Sequence, residues 1–209
     1  LAAMIAWVNK AEARGFVRLA GPDPLVSPVV ELNFLGDYRD TMRLAASVRL
    51  MARIFAADAM AGIVSHPTAA SYTGFAKTLG RQTLRNYLLT APTAALIDAI
   101  PYARRKFMEI AVANGMTLDD LLADDEALQQ YVRDNAFGQW HVCGTCRFGV
   151  ADDPAAVTDP ASGRVHGIGG LRVADASIFP RVTSGNTNAP SIMVGERAAD
   201  FVLADASGT

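Results

Sequence analysis

Several patterns are missing from these 209 residues, and each absence removes a class of function. There is no G-x-x-x-x-G-K-S/T phosphate loop, no G-x-S-x-G elbow and no H-E-x-x-H pair. Gly167-Ile168-Gly169-Gly170 begins like a dinucleotide loop. However, Arg172 stands where the third glycine is needed, and a strand rather than a helix is expected to follow. Positive charge is not in excess: 19 Lys and Arg face 21 Asp and Glu, a net charge of −2. No basic field therefore draws nucleic acid. The apolar runs are broken by charge or glycine within about a dozen residues, too short to span a bilayer. Position 1 is leucine, and Leu1-Ala2-Ala3-Met4 lacks the basic start and cleavage pattern of a secretory leader. The chain is expected to be a piece of something longer.

Cysteine is scarce too, with two residues, Cys143 and Cys146, and there are three histidines. The C-x-x-C spacing admits a redox dithiol or half of a zinc site. Zinc would need two more ligands, and His66, His141 and His166 offer no second pair at motif spacing. A redox dithiol wants its first cysteine at a helix start, whereas Arg147-Phe148-Gly149 leads into a loop rich in Pro and Asp. Two small residues packing in a tight turn is the favoured reading, and no metal is expected.

What remains is a chain of 51% hydrophobic residues, enough to bury one or two cores. Residues 15–20 alternate with period two and end at Gly21-Pro22-Asp23-Pro24, which predicts a strand and a turn; residues 29–35 predict a second strand. Asp37 opens a helical pattern through Met60, with Leu44, Val48, Met51, Ala52 and Phe55 as its apolar stripe. Residues 61–116 are less legible: His66-Pro67 starts a loop, and helices over 84–97 and 100–113 are expected to be interrupted by Pro92 and Pro101. Thr117-Leu118-Asp119-Asp120 matches a capping-box opening, and Asp124 to Asn135 an amphipathic helix. Leu171-Arg172-Val173-Ala174 reads as a short strand, and Ser191 to Leu203 as a helix with Pro190 in its first turn. Residues 1–135 and 136–209 are the expected domains.

Two blocks carry the chemistry. The first is Trp140-His141-Val142-Cys143-Gly144-Thr145-Cys146-Arg147-Phe148-Gly149, in which Gly144-Thr145 predicts a turn that presents His141. An imidazole titrates near operating pH and can take and return a proton, although a buried histidine bonded to a carbonyl is the plain alternative. The second is Gly170 to Ser177, then Ser184-Gly185-Asn186-Thr187-Asn188-Ala189-Pro190. Asp175 ends the expected strand, where ligands face α/β sheets, with small Ala176 behind it; it also suits a turn cap. Asn188 suits a helix cap. The free first-turn N–H groups there also suit an anion or an electron-rich carbonyl such as a flavin pyrimidine edge.

Together with Arg164-Val165-His166-Gly167 and Ile192-Met193-Val194-Gly195-Glu196-Arg197-Ala198-Ala199-Asp200, these blocks closely resemble the C-terminal part of the glucose–methanol–choline (GMC) oxidoreductases. Gly15 to Leu19, Asp23-Pro24 and Asn33-Phe34-Leu35 resemble the strand–turn–strand opening of the same region. The resemblance implies an α+β or α/β fold. It would be a substrate domain with a mainly antiparallel sheet backed by helices, plus the closing strand and helix of an FAD-binding domain. It implies FAD and a small-molecule alcohol, with His141 as the base that takes the hydroxyl proton while hydride passes to flavin N5. Asn186 would bind the same oxygen. Asn188, Ala189 and Pro190 would lie beside the pyrimidine edge, and Asp175 and Ala176 near the ribityl-pyrophosphate chain. Val142 departs from the proline and Cys143 from the aliphatic residue common in the family, and residues 61–116 are longer than its usual spacing.

The same scaffold carries other flavin chemistries, a lyase or a photodecarboxylase, and a non-catalytic assembly subunit would retain the fold as well. The G-x-G-x-x-G half of the family is not in the sequence. A second chain carrying it is therefore the expected partner, meeting a large apolar face that an isolated half would expose.

Overall fold

The computed structural model describes residues 3–70, 82–113 and 115–207. The chain divides into two compact units, one formed by Leu1–Ala6 and Thr41–Ala136, the other by Trp7–Asp40 and Phe137–Thr209. The part of the hard-to-read middle at 71–81, with Asn114, lies outside the described residues.

In the first unit, helix α1 (Tyr38–Phe55) turns Thr41 and Ala45 inward, both almost fully buried. Val48 and Ala52 continue that stripe at helical spacing and are half-buried. The helix stops five residues short of Met60; a separate 3-10 turn spans Asp58–Met60. Helix α2 (Leu84–Ala99) is capped by Thr83, whose hydroxyl accepts from the Asn86 amide at 3.2 Å. Pro92 lies inside α2 and does not interrupt it, contrary to the sequence expectation. Proline removes one amide donor to the Leu88 carbonyl, yet Leu88 is 63% exposed, so water can serve that carbonyl. Pro101 does interrupt: it forces Ile100 into an extended conformation and opens helix α3 (Pro101–Phe107). A π-helical turn follows at Met108–Val112, with the Ala113 amide donating to the Met108 carbonyl at 2.9 Å.

Helices α4 (Leu118–Ala123) and α5 (Asp125–Asn135) begin as expected. The Thr117 hydroxyl accepts from the Asp120 amide at 3.1 Å and donates to its carboxylate at 2.6 Å. The Asp124 carboxylate accepts from the Glu126 and Ala127 amides. Leu121, Leu128 and Val132 then face inward and form most of this unit's apolar core. Arg49 of α1 pairs with Asp125 at the start of α5.

The second unit holds an antiparallel hairpin, β1 (Phe16–Arg18) with β2 (Val29–Glu31), in the register Phe16↔Glu31, Val17↔Val30 and Arg18↔Val29. Gly15 permits the pairing, since a Cβ there would come within 1.9 Å of the Glu31 carbonyl oxygen. Buried Asp40 gathers the amides of Glu12 and Ala13 at 2.9–3.0 Å and so pins the stretch before β1. The run 171–174 is extended but pairs at one position, Arg172 with Arg164. Tight turns with positive φ at Gly167 and Gly170 limit the ladder to the Val165–Leu171 and Val173–Gly163 hydrogen bonds. Helix α6 (Asn188–Ser207) closes the chain, beginning three residues earlier and ending four later than its pattern predicts. The helix-rich chain with its small antiparallel sheet fits the expected α+β class. No described helix is long and apolar enough to cross a membrane.

Candidate active site

The His141 turn is built on backbone hydrogen bonds. Cys146 donates to the Ser177 carbonyl at 2.9 Å and Phe148 to that of Ile178 at 2.8 Å, which fastens the C-x-x-C loop to the turn after Asp175. The Thr158 side chain is fully buried beneath it, its hydroxyl donating to the Cys146 carbonyl at 3.1 Å. Gly144 adopts φ +91°, and a Cβ there would lie 3.1 Å from the Phe179 carbonyl oxygen, so the bend depends on glycine. Trp140 adopts φ +56° without being glycine, a strained conformation directly before the candidate base.

His141 is half-buried, and its Nδ1 lies 2.9 Å from the Thr187 hydroxyl oxygen. Among the described residues that is its one hydrogen bond, which leaves Nε2 free. The turn thus meets the stretch before α6 at Thr187, between the exposed Asn186 and Asn188. Ala189 is exposed and Pro190 half-buried in the first helical turn. The first helical hydrogen bond runs from the Ser191 amide to the Thr187 carbonyl, and the amides of Asn188 and Ala189 precede it at the positive end of a 20-residue helix. No described hydrogen bond joins His141 to Asn186. Thr187 was not singled out in the sequence, where nothing local tells which residue of this stretch turns inward.

The Asp175 carboxylate caps the 3-10 turn Ala176–Ile178, accepting from the Ser177 amide at 2.8 Å and the Ser177 hydroxyl at 2.5 Å. Both cysteines are free, and burial pushes the Cys143 thiol above its ordinary value, which disfavours a reactive thiolate. Among the described residues no group of three or more His, Cys, Asp or Glu could hold a metal ion. His166 bonds the Gly149 carbonyl through Nε2 at 3.0 Å, in an open cleft with Asp159 and Arg164 that contains none of the predicted site residues.

The family model for GMC oxidoreductases matches residues 11–195. The chain belongs to the GMC oxidoreductase family. Over 99% of its length it is 41% identical to the 5-(hydroxymethyl)furfural oxidase of Methylovorus sp. (strain MP688), covering 32% of that protein. Over 93% it is 34% identical to an oxygen-dependent choline dehydrogenase of Rhizobium etli, covering 27% of it. A solved fungal aryl-alcohol oxidase shares the fold, with a TM-score of 0.64 at 24% identity over 94% of this chain and 24% of that one. This GMC chain therefore spans about a third or less of the length of the curated relatives it matches.

Proposed function

We propose that this chain is the substrate-facing, C-terminal portion of an FAD-dependent alcohol oxidase or dehydrogenase. The observation that carries the reading is the His141 ring, anchored through Nδ1 to Thr187 at the start of α6 with Nε2 left free, in a chain that belongs to this family. The residues present fit a flavin. The start of α6 offers the first-turn amides of Asn188 and Ala189, both exposed residues, as a donor set for an electron-rich carbonyl edge, and Pro190 adds no competing donor. Asp175 fixes its turn, and the small Ala176 beside it would border the ribityl-pyrophosphate chain. The flavin, when bound, supplies a hydride acceptor at N5. His141 takes the hydroxyl proton at Nε2, and Asn186, which can only hydrogen-bond, orients the same oxygen.

The relatives' names favour oxidation over the lyase, photodecarboxylase and assembly readings. A primary alcohol on a furan or benzene ring is the proposed substrate, since the 5-(hydroxymethyl)furfural oxidase is 41% identical and the exposed ring of Trp140 adjoins His141. The proposed partner is a second chain carrying the glycine-rich dinucleotide half. Helix α2 supports a missing cover: it has no buried residue, and Leu84, Tyr87, Leu88 and Leu89 are all more than half exposed.

The test is His141→Ala in the flavin-loaded enzyme. Turnover of the alcohol should fall by about 10²–10⁴-fold, the usual contribution of a general base, with flavin content unchanged. Undiminished turnover would refute the base assignment. Denaturing gels of the yellow protein decide the partner: two polypeptides are expected, and one long polypeptide would reject the second chain.

A further inference from the structure

Thr187 is placed as neither of its neighbours is. Its side chain is 8% exposed, while Asn186 and Asn188 on either side face solvent. Its carbonyl accepts from both the Ser191 amide at 2.9 Å and the Ser191 hydroxyl at 2.7 Å, so the first turn of α6 holds its backbone. Its β-branched side chain is stiff about χ1, so the hydroxyl oxygen is held 2.9 Å from His141 Nδ1 by burial and by the helix together.

A neutral imidazole carries one proton on two nitrogens. For Nε2 to accept a proton, Nδ1 must already bear one, and a half-buried N–H needs an acceptor. Once Nε2 is protonated, both nitrogens are donors, and an acceptor at Nδ1 still serves. A group able only to donate would hold the other tautomer and block the base. We infer that Thr187 is a positioning residue: its hydroxyl oxygen accepts from His141 Nδ1–H and keeps Nε2 in the proton-accepting form. The substrate hydroxyl's proton moves to Nε2, the Nδ1 proton stays where it is, and the ring need not turn between the two states. The inference rests on His141 being the base.

The experiment uses the flavin-loaded holoenzyme with its histidines labelled with ¹⁵N, the His141 signals being assigned by their loss in His141→Ala. With the imidazole neutral, wild type should show the Nδ1–H tautomer. Thr187→Val, which keeps the shape and removes the acceptor, should shift His141 toward Nε2–H. It should also lower kcat by about 10–100-fold while KM changes by less than about twofold. Thr187→Ser should restore both readouts. An Nε2–H tautomer in wild type overturns the inference, as does a Thr187→Val enzyme with unchanged tautomer and kcat. If Thr187→Val does not fold, the wild-type tautomer and the serine variant decide. Failure of the base assignment is separate, because it appears as retained turnover in His141→Ala while the tautomer comparison still stands.

Discussion

At Gly144 the backbone takes φ +91°, and the carbonyl oxygen of Phe179 occupies the space where a Cβ would press. Gly144→Ala is therefore predicted to cost about 1–3 kcal/mol, the strain of a left-handed non-glycine residue, read as a lower Tm of the flavin-loaded protein. An unchanged Tm would show that the loop relaxes without cost. The same loop explains why His141 was legible and its partner was not. A histidine beside Gly144-Thr145 marks a presented side chain, because glycine there forces a turn whatever the rest of the molecule does. Thr187 carries no such mark: which side of an extended stretch faces inward depends on what packs against it. Asp175 showed the reverse, since its reach to an amide two residues on is local chemistry and its turn-capping role follows from sequence.

Among the elements, those begun by a side-chain cap were the most legible. Thr117 and Asp124 each satisfy amides within three residues, so their helices start where the pattern places them. Asp124→Ala should lower stability by about 1 kcal/mol, measured by denaturant midpoint, and a neutral result would mean the cap is redundant. Ends were harder. Helix α6 extends beyond Leu203 to Ser207, where Asp205 pairs with Arg164 and Arg172 of the adjoining ladder, a long-range partner no local pattern reveals. Hydrogen bonds from Arg164 and then Arg172 hold the Asp205 carboxyl below its ordinary value of 3.8. With its folded-state pKa depressed, the pairing adds stability above the unfolded-state value, and that contribution is lost as pH falls through the folded value. Asp205→Asn should thus lower Tm at neutral pH, and the gap to wild type should close in acid below the carboxylate range. A gap equally wide in acid would place the effect elsewhere. Pro92 misled because a proline inside an exposed helix leaves its lost partner to water, whereas Pro101 acts on the residue before it.

At the scale of the whole molecule, apolar side chains of α2, of the hairpin and of Trp140 are exposed. The chain matches about a third or less of its curated relatives, and the family's glycine-rich loop is not in its sequence. The family was legible because the His141 turn and the Asn186–Pro190 stretch, which carry the resemblance, both lie within the span that the family model matches. The middle, residues 61–116, was legible in part: helices begin at Leu84 and Pro101, near where the pattern places them, but α2 shows no single apolar face. On the proposed reading, His141 supplies the base for alcohol oxidation at a flavin. Anaerobic mixing of the flavin-loaded enzyme with 5-(hydroxymethyl)furfural and benzylic alcohols tests it most directly, with the visible absorbance of the flavin followed in time. Bleaching by an alcohol is expected in wild type, with its loss in His141→Ala while the flavin stays bound; a flavin that no alcohol bleaches, or that bleaches equally fast without His141, would contradict that role.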